Sequence, residues 1–178
     1  MIRILDRNFV PYISASEIQH RVKEIADKIN VDFAGESPIF LGVLNGAFMF
    51  FSDLVKQITI PSQVAFIKIS SYQGTQSSGK ITAKVELTDD LTGKRIIVVE
   101  DIVDTGRSME YLLSILAEKQ VASVTIASLL QKPEALEVDG IPLDYVGFSI
   151  QNQFVIGYGL DYNGFGRNLP GIYVVKEI

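Results

Sequence analysis

Four consecutive β-branched residues, Ile96-Ile97-Val98-Val99, run into Glu100 and Asp101, and after Ile102 and Val103 comes a third acid, Asp104. An unbroken apolar run of this kind suits a strand buried on both faces, as in a parallel sheet. Such strands end in the loops where ligands are held. Three carboxylates gathered at that end repel one another, so a cation or a set of proton donors must offset them. The chain then turns through Thr105-Gly106-Arg107-Ser108 into a helix over Ser108–Lys119, with Met109, Leu112, Leu113 and Leu116 on one side. The plain alternative is a helix cap with solvated acids. One acid would suit that reading, but three do not.

The rest of the chain supports a layered fold. Ser14 and Glu17 have the spacing of a capping box, and Ile18, Val22, Ile25 and Ile29 make one stripe, which predicts a helix over Ala15–Ile29. A buried strand follows over Pro38–Leu44, broken at Asn45-Gly46, then a helix over Ala47–Ile58 and a strand over Gln63–Ser70. Ser71 to Lys80 is polar, small and glycine-containing, a composition that predicts a mobile segment. Ile81–Leu87 alternates like a half-exposed strand, Thr88–Gly93 is a turn, and Val121–Leu130 is a further strand. Strands alternating with helices predict an α/β fold with a mainly parallel central sheet flanked by helices. Beyond residue 131 the apolar pieces are short: Tyr145–Ile150, Phe154–Leu160 and Ile172–Val175. They predict a small appendage, a hood. The expected organisation is one domain, with a core over about 14–130 and a hood from about 1–13 and 131–178.

Composition removes several chemistries. With no cysteine and a single histidine, His20, thiolate metal sites, cysteine nucleophiles and Ser-His-Asp triads have too few parts. A net charge of −5 without a Lys/Arg cluster argues against nucleic-acid binding. The opening Met1-Ile2-Arg3-Ile4-Leu5-Asp6-Arg7 lacks the apolar core of a signal peptide, and no apolar run approaches the roughly 20 residues of a membrane span. A cytoplasmic protein without a membrane partner is the expectation. Carboxylates and backbone amides are left to carry any reaction.

The turn after the acids offers an anion site. Gly106 permits a tight curl, free N–H groups at a helix start face an anion, and Thr105 and Ser108 add hydroxyl donors. Glu100 and Asp101 would repel a bare phosphate. A sugar phosphate whose hydroxyls donate to the acids, accompanied by Mg²⁺, satisfies both demands. The string G-x-x-x-x-G-K-[ST] is absent, and Asp101 and Asp104 are not spaced as the D-x-D of aspartyl-phosphate phosphatases.

Val98 to Met109 resembles the signature of the phosphoribosyltransferases, which bind 5-phospho-α-D-ribosyl 1-pyrophosphate. Further pieces occur in order: Leu44-Asn45-Gly46-Ala47, Ser71-Tyr72, Leu129-Leu130-Gln131-Lys132, and Phe154 to Tyr162 (FVIGYGLDY). Together they resemble the hypoxanthine (hypoxanthine-guanine) branch of the type I family over residues 5 to 175.

The resemblance implies a Mg²⁺-dependent purine-salvage enzyme joining a 6-oxopurine to phosphoribosyl pyrophosphate. It implies donor binding by Leu44, Asn45, Gly46, Ser71, Tyr72, Glu100, Asp101, Asp104, Thr105, Gly106, Arg107, Ser108 and Arg167. Asp104 is then the base or proton relay at purine N7, and Glu100, Asp101 and Asp161 are the metal-side acids. Lys132 donates to the purine 6-oxo group, Phe154 stacks on the base, Val155 reads its edge through the backbone, and Asp161 lies close by. Ser71-Tyr72 belongs to a closing lid, and the peptide Leu44-Asn45 is cis. The chain departs from the family where Asn45 replaces the usual lysine and Arg107 a common lysine. The family forms homodimers and homotetramers, and Phe48, Phe50 and Phe51 suit either an interface or the core. Two competing readings are a transferase preferring xanthine or guanine and a nucleic-acid-binding regulator that senses the sugar phosphate. The acidic charge, and the retention of Asp104, Lys132 and Phe154, oppose the second.

Overall fold

The computed structural model describes residues 1–71, 81–84 and 90–176. Tyr72, the rest of the polar loop to Lys80, and the 85–87 end of the predicted half-exposed strand lie outside the described residues. The chain starts with strands β1 (Ile2–Ile4) and β2 (Arg7–Ile13), followed by helix α1 (Ala15–Asp32). Ser14 caps α1 as expected, its hydroxyl accepting from the Glu17 N–H while the Glu17 carboxylate accepts from the Ser14 N–H. Next come β3 (Ile39–Leu44), helix α2 (Phe48–Val55), β4 (Gln63–Ser71) and β5 (Ile81–Lys84). After these lie β6 (Arg95–Val103), α3 (Arg107–Glu118), β7 (Ser123–Gln131), β8 (Leu143–Ser149), β9 (Val155–Ile156) and β10 (Ile172–Val175).

Six strands form the main sheet in the order β5-β4-β3-β6-β7-β8, all parallel except β5, which runs against β4. The β-branched run explains itself here. Ile97 and Val99 lie in the core shared with Ile18 and Val22 of α1 and Phe50 and Leu54 of α2, while Ile96 and Val98 pack with Leu41, Met109, Leu112 and Leu116 on the α3 side. Each such side chain, fully buried, contributes about 1.5–3 kcal/mol. A second sheet, β1-β2-β10-β9, is the hood, and it joins the two ends of the sequence.

The chain leaves β3 through α2 toward β4, and leaves β6 through α3 toward β7, so the connections diverge from the centre of the sheet. A crevice opens at such a divergence, outside the carboxyl ends of the two strands. β3 stops pairing with β6 at Val99, whereas β7 accompanies β6 to Val103. Glu100 and Asp101 therefore lie within a strand that has lost one neighbour.

Several expectations need correcting. The helix predicted to reach Ile58 ends at Val55, because Asn30 of α1 intercepts the following turn. Its side-chain amide donates to Gln57 O, and its carbonyl accepts from Thr59 N–H. Of the two roles open to them, Phe50 and Phe51 take the core, and of the three phenylalanines only Phe48 is exposed. Residues 143–149 extend the main sheet as β8 rather than joining the appendage, so the parallel layer continues well past residue 130. Short apolar strands do not declare which sheet they join. No helix among the described residues is long and apolar enough to cross a membrane.

Two phenols tie the layers together. Tyr145 on β8 donates to Asp32 of α1 at 2.8 Å, and Tyr158 donates to Asp53 of α2 at 2.7 Å. Burial, reinforced by the neighbouring carboxylates, pushes both phenols far above the usual tyrosine range. A folded-state pKa above the unfolded value favours the protonated form. The stability this adds is complete below about pH 10, the unfolded tyrosine value, and is lost as pH rises beyond it. Urea midpoints should therefore fall between pH 9 and 11, and fall less for Tyr145→Phe. Equal losses in the two proteins would exclude Tyr145 as a source.

Candidate functional site

Helix α3 begins in the opposite manner to α1. Its N-cap is Gly106, at φ 85°, and no side chain caps the first turn. Only glycine adopts that backbone without strain, and the first N–H groups of a helix have no partner within it. They face a cleft of about 60 Å³ lined by Glu100, Asp104, Thr105, Gly106 and Ser108. The turn is thus built to take an anion. Arg107 points elsewhere: its guanidinium pairs with Glu137 at 2.5 Å and its side chain is mostly exposed. Its backbone, rather than its charge, belongs to the turn.

Glu100 is buried and Asp101 half-buried on the extended end of β6. The Asp101 N–H donates to Glu100 Oε1 at 3.0 Å, and the Ile102 N–H donates to Asp101 Oδ1 at 2.9 Å. Burial, followed by the adjacent Asp101 carboxylate, raises Glu100 well above the usual carboxylate range. Ionised together, the two acids demand a positive partner. Among the described residues no three acids or histidines close around a metal position. Carboxylates on one wall of an open cavity, beside an anion turn, fit a hard cation such as Mg²⁺ that shares its shell with substrate phosphates and water.

A second cavity, of about 260 Å³, adjoins the first through Glu100 and Ser108. It brings together Leu44, Asn45, Gly46, Asp101, Asp161 and Arg167. The Leu44-Asn45 peptide is cis, and Asn45 is exposed. Gly46 lies so close to Asp101 that a Cβ there would overlap the Asp101 carboxylate. On its other side a Cβ at Gly159 would overlap the Gly46 carbonyl oxygen. The Gly46 backbone thus packs directly against the Asp101 carboxylate and the Gly159 backbone, with no room for a side chain of its own. Asp161 binds Arg167 at 2.6 Å through Oδ1 and the Gly164 N–H at 2.6 Å through Oδ2, while Arg167 Nη1 donates to Gly159 O at 2.6 Å. Both Asp161 oxygens are therefore engaged by its own loop. Ser71 ends β4, paired with Ile81 on β5, and Tyr72 falls outside the described residues.

Lys132 follows β7, the neighbour of β6, and its Nζ lies 3.0 Å from Asp104 Oδ2. The lysine side chain is only 8% exposed, so this is no surface charge. Phe154 is part of a separate aromatic group. Its ring meets Tyr162 edge-on at 5.7 Å and Phe9 at 6.3 Å. Arg7 sits 5.6 Å from the Phe154 centroid and 5.1 Å from that of Tyr162, and Tyr162 donates to Asp6 at 2.9 Å. Among the described residues no hydrogen bond or ring contact links Phe154 to Lys132. Val155 is buried on β9, with its backbone paired to Val174.

Sequence reasoning missed Arg7, Asp53 and Tyr158. The polar Asp6-Arg7 step inside a β-rich start was a weak signal for the first. Asp53 on an apolar helix and the tyrosine between Gly157 and Gly159 were visible but had no partner in the linear sequence.

The phosphoribosyl transferase domain model matches residues 14–163. Hypoxanthine-guanine phosphoribosyltransferase of Streptococcus pneumoniae is 44% identical over 166 residues, covering 93% of this chain and 92% of its own. Hypoxanthine-guanine-xanthine phosphoribosyltransferase of Tritrichomonas foetus is 37% identical, covering 90% of this chain and 88% of its own. A crystal structure of a Bacillus anthracis hypoxanthine-guanine phosphoribosyltransferase superimposes with a TM-score of 0.88 at 37% identity, over 96% of this chain and 100% of the other.

Proposed function

The chain belongs to the phosphoribosyl transferase domain family, and from that premise we propose that it makes IMP and GMP from hypoxanthine and guanine. The donor is phosphoribosyl pyrophosphate and the second product is pyrophosphate. The observation that carries this reading is the Lys132–Asp104 pair, a carboxylate and an ammonium 3.0 Å apart beside an uncapped helix start. Few arrangements serve so directly to hold a ring that must both lose a proton and present a carbonyl oxygen.

In the proposed reaction purine N9 bonds to C1′, the C1′–oxygen bond to pyrophosphate breaks, and the N7 proton passes to Asp104. An ammonium has three donors, so Lys132 can keep Asp104 and still donate to the 6-oxo oxygen. Adenine offers an amino group there and gains no such bond. Residues 104 to 108 hold the 5′-phosphate, with Thr105 and Ser108 hydroxyls beside the helix N–H groups. Leu44, Asn45, Gly46 and Arg167 face the pyrophosphate. Ser71 and Tyr72 complete the donor site in this reading. Glu100, Asp101 and Asp161 are the acids that would hold Mg²⁺, together with substrate phosphates and water, and the ion would offset the charge of the leaving pyrophosphate. Glu100 and Asp101 also accept from the ribose hydroxyls. Phe154 stacks on the purine, with about 0.5–1.5 kcal/mol from the aromatic contact, and Val155 reads its edge through the backbone.

Mixing the protein with Mg²⁺, phosphoribosyl pyrophosphate and each purine, then recording nucleotide, tests the assignment. No product with any 6-oxopurine would sink it. The Tritrichomonas relative's name adds xanthine as an acceptor to include in the panel. Lys132→Ala should lower kcat/KM for hypoxanthine about 10–100-fold, the loss of one charge-assisted hydrogen bond, with donor affinity retained. An unchanged preference for hypoxanthine over adenine would remove Lys132 from base recognition. A cytoplasmic location and assembly as a homodimer or homotetramer complete the proposal, the latter to be read by sedimentation velocity.

A further inference from the structure

We propose that Tyr158 is a positioning residue whose buried hydroxyl, held by Asp53, sets the spacing between the Leu44–Gly46 loop and the Asp161–Arg167 loop. The inference rests on the phosphoribosyl-transfer reading and assigns a role that neither loop reveals alone.

Tyr158 is 1% exposed and has φ 49°, between Gly157 at 98° and Gly159 at 102°. Three successive residues in the left-handed region turn the phenol inward, between α1 and α2, while the flanking backbone stays at the cavity. A tyrosine in that region is strained, and strain persists only where surroundings enforce it. Its hydroxyl donates to Asp53 Oδ2 at 2.7 Å, the same oxygen accepts from Gln19 Nε2 at 2.6 Å, and Lys56 holds Oδ1 at 2.7 Å. Asp53 lies on α2, and α2 is the direct continuation of the loop that carries Asn45 and Gly46. On the other side, Gly159 donates to Arg167 O at 2.9 Å and accepts from Arg167 Nη1, and Arg167 binds Asp161.

A closed circuit results. It runs from Gly46 through α2 to Asp53, across to Tyr158, and through Gly159 back to the Gly46 carbonyl. Gly46 and Gly159 touch without a side chain between them, so their separation has no cushion. The Tyr158 hydroxyl is the polar link that opposes outward movement of the 157–161 loop. Its bond is charge-assisted and partly buried, the stronger class of hydrogen bond. Phenylalanine fills the same space and leaves Asp53 with Gln19 and Lys56, so the fold has no reason to fail.

The test uses the full chain with Mg²⁺ and phosphoribosyl pyrophosphate. Tyr158→Phe should raise donor KM and calorimetric donor Kd about three- to thirty-fold, with kcat and purine KM within twofold and Tm little changed. Asp53→Ala should do the same, Asp53→Asn should restore near wild-type donor binding through its remaining carbonyl, and the Tyr158→Phe/Asp53→Ala double variant should match the worse single variant. If the wild type is active and both single variants bind donor normally, the inference falls. It also falls if donor and purine constants worsen together with Tm, the mark of a merely structural role. A wild type that neither binds the donor nor makes nucleotide overturns the phosphoribosyl-transfer reading itself.

Discussion

Asp104→Asn should reduce the rate of nucleotide formation about 10²–10⁴-fold, the usual contribution of a positioned proton acceptor. The substitution keeps the shape of the side chain and an oxygen that accepts from Lys132, now 3.0 Å away. The open helix start at Gly106 and the cavity around Gly46 and Asp101 are untouched. What disappears is the ability to take a proton from purine N7. The expected signature is therefore a fall in kcat, with calorimetric binding of Mg²⁺ and phosphoribosyl pyrophosphate close to normal. Near-normal turnover would remove Asp104 from its assigned role. Loss of donor binding equal to the loss of rate would instead make it a binding residue.

An equally large effect is expected at Gly46, for a steric reason. A methyl group there would occupy the space of the Asp101 carboxylate, which is fixed by the Ile102 N–H at 2.9 Å. Either the 44–47 loop retreats from β6 or Asp101 gives up that bond. Both outcomes separate the two walls of the cavity proposed for the donor. Gly46→Ala should weaken donor binding more than 100-fold, whereas the stability loss read by urea denaturation should be only about 1–3 kcal/mol, as for other overpacked sites. Gly35→Ala is the control. Its φ of 83° also disfavours alanine, but nothing lies within 4 Å of the new carbon, so it should cost stability and leave donor binding alone. Donor affinity in Gly46→Ala within threefold of wild type would show that the close approach is not required.

Local signals were legible where cause and effect lie near each other in the chain. The Ser14–Glu17 box started α1 where expected, and the Ile96–Val99 run became the double-faced central strand. Glu100, Asp104, Thr105, Gly106 and Ser108 line one cleft, while Asp101 lines the adjoining cavity and the Arg107 side chain turns away to Glu137. Helix α2 was overextended because its stop signal, Asn30, sits on another helix. The piece Tyr145–Ile150 reads as part of the hood because so short an apolar segment carries no mark of its sheet partner. The Tyr158–Asp53 bond spans 105 residues, and Arg7 reaches Phe154 from the far end of the sequence. Lys132 showed the same limit in reverse: its proximity to Asp104 required β6 and β7 to be neighbours, which the linear pattern allowed but did not specify.

The hood has a consequence for the order in which this protein takes shape. β2 pairs with β10, matching Phe9 to Val175, whereas the parallel core is assembled from β3 to β8 in the middle of the sequence. Contacts so distant along the chain close the largest loop and suffer the greatest entropic penalty. As the polypeptide leaves the ribosome, the main sheet and the cleft at the Gly106 turn can therefore mature first. The aromatic wall around Phe154 must wait for residues 172–175, because only then do the last strand and the first ones meet. A nascent molecule of this design completes its main sheet and the turn at Gly106 before the loop of Asp161 and Arg167 can close the second cavity.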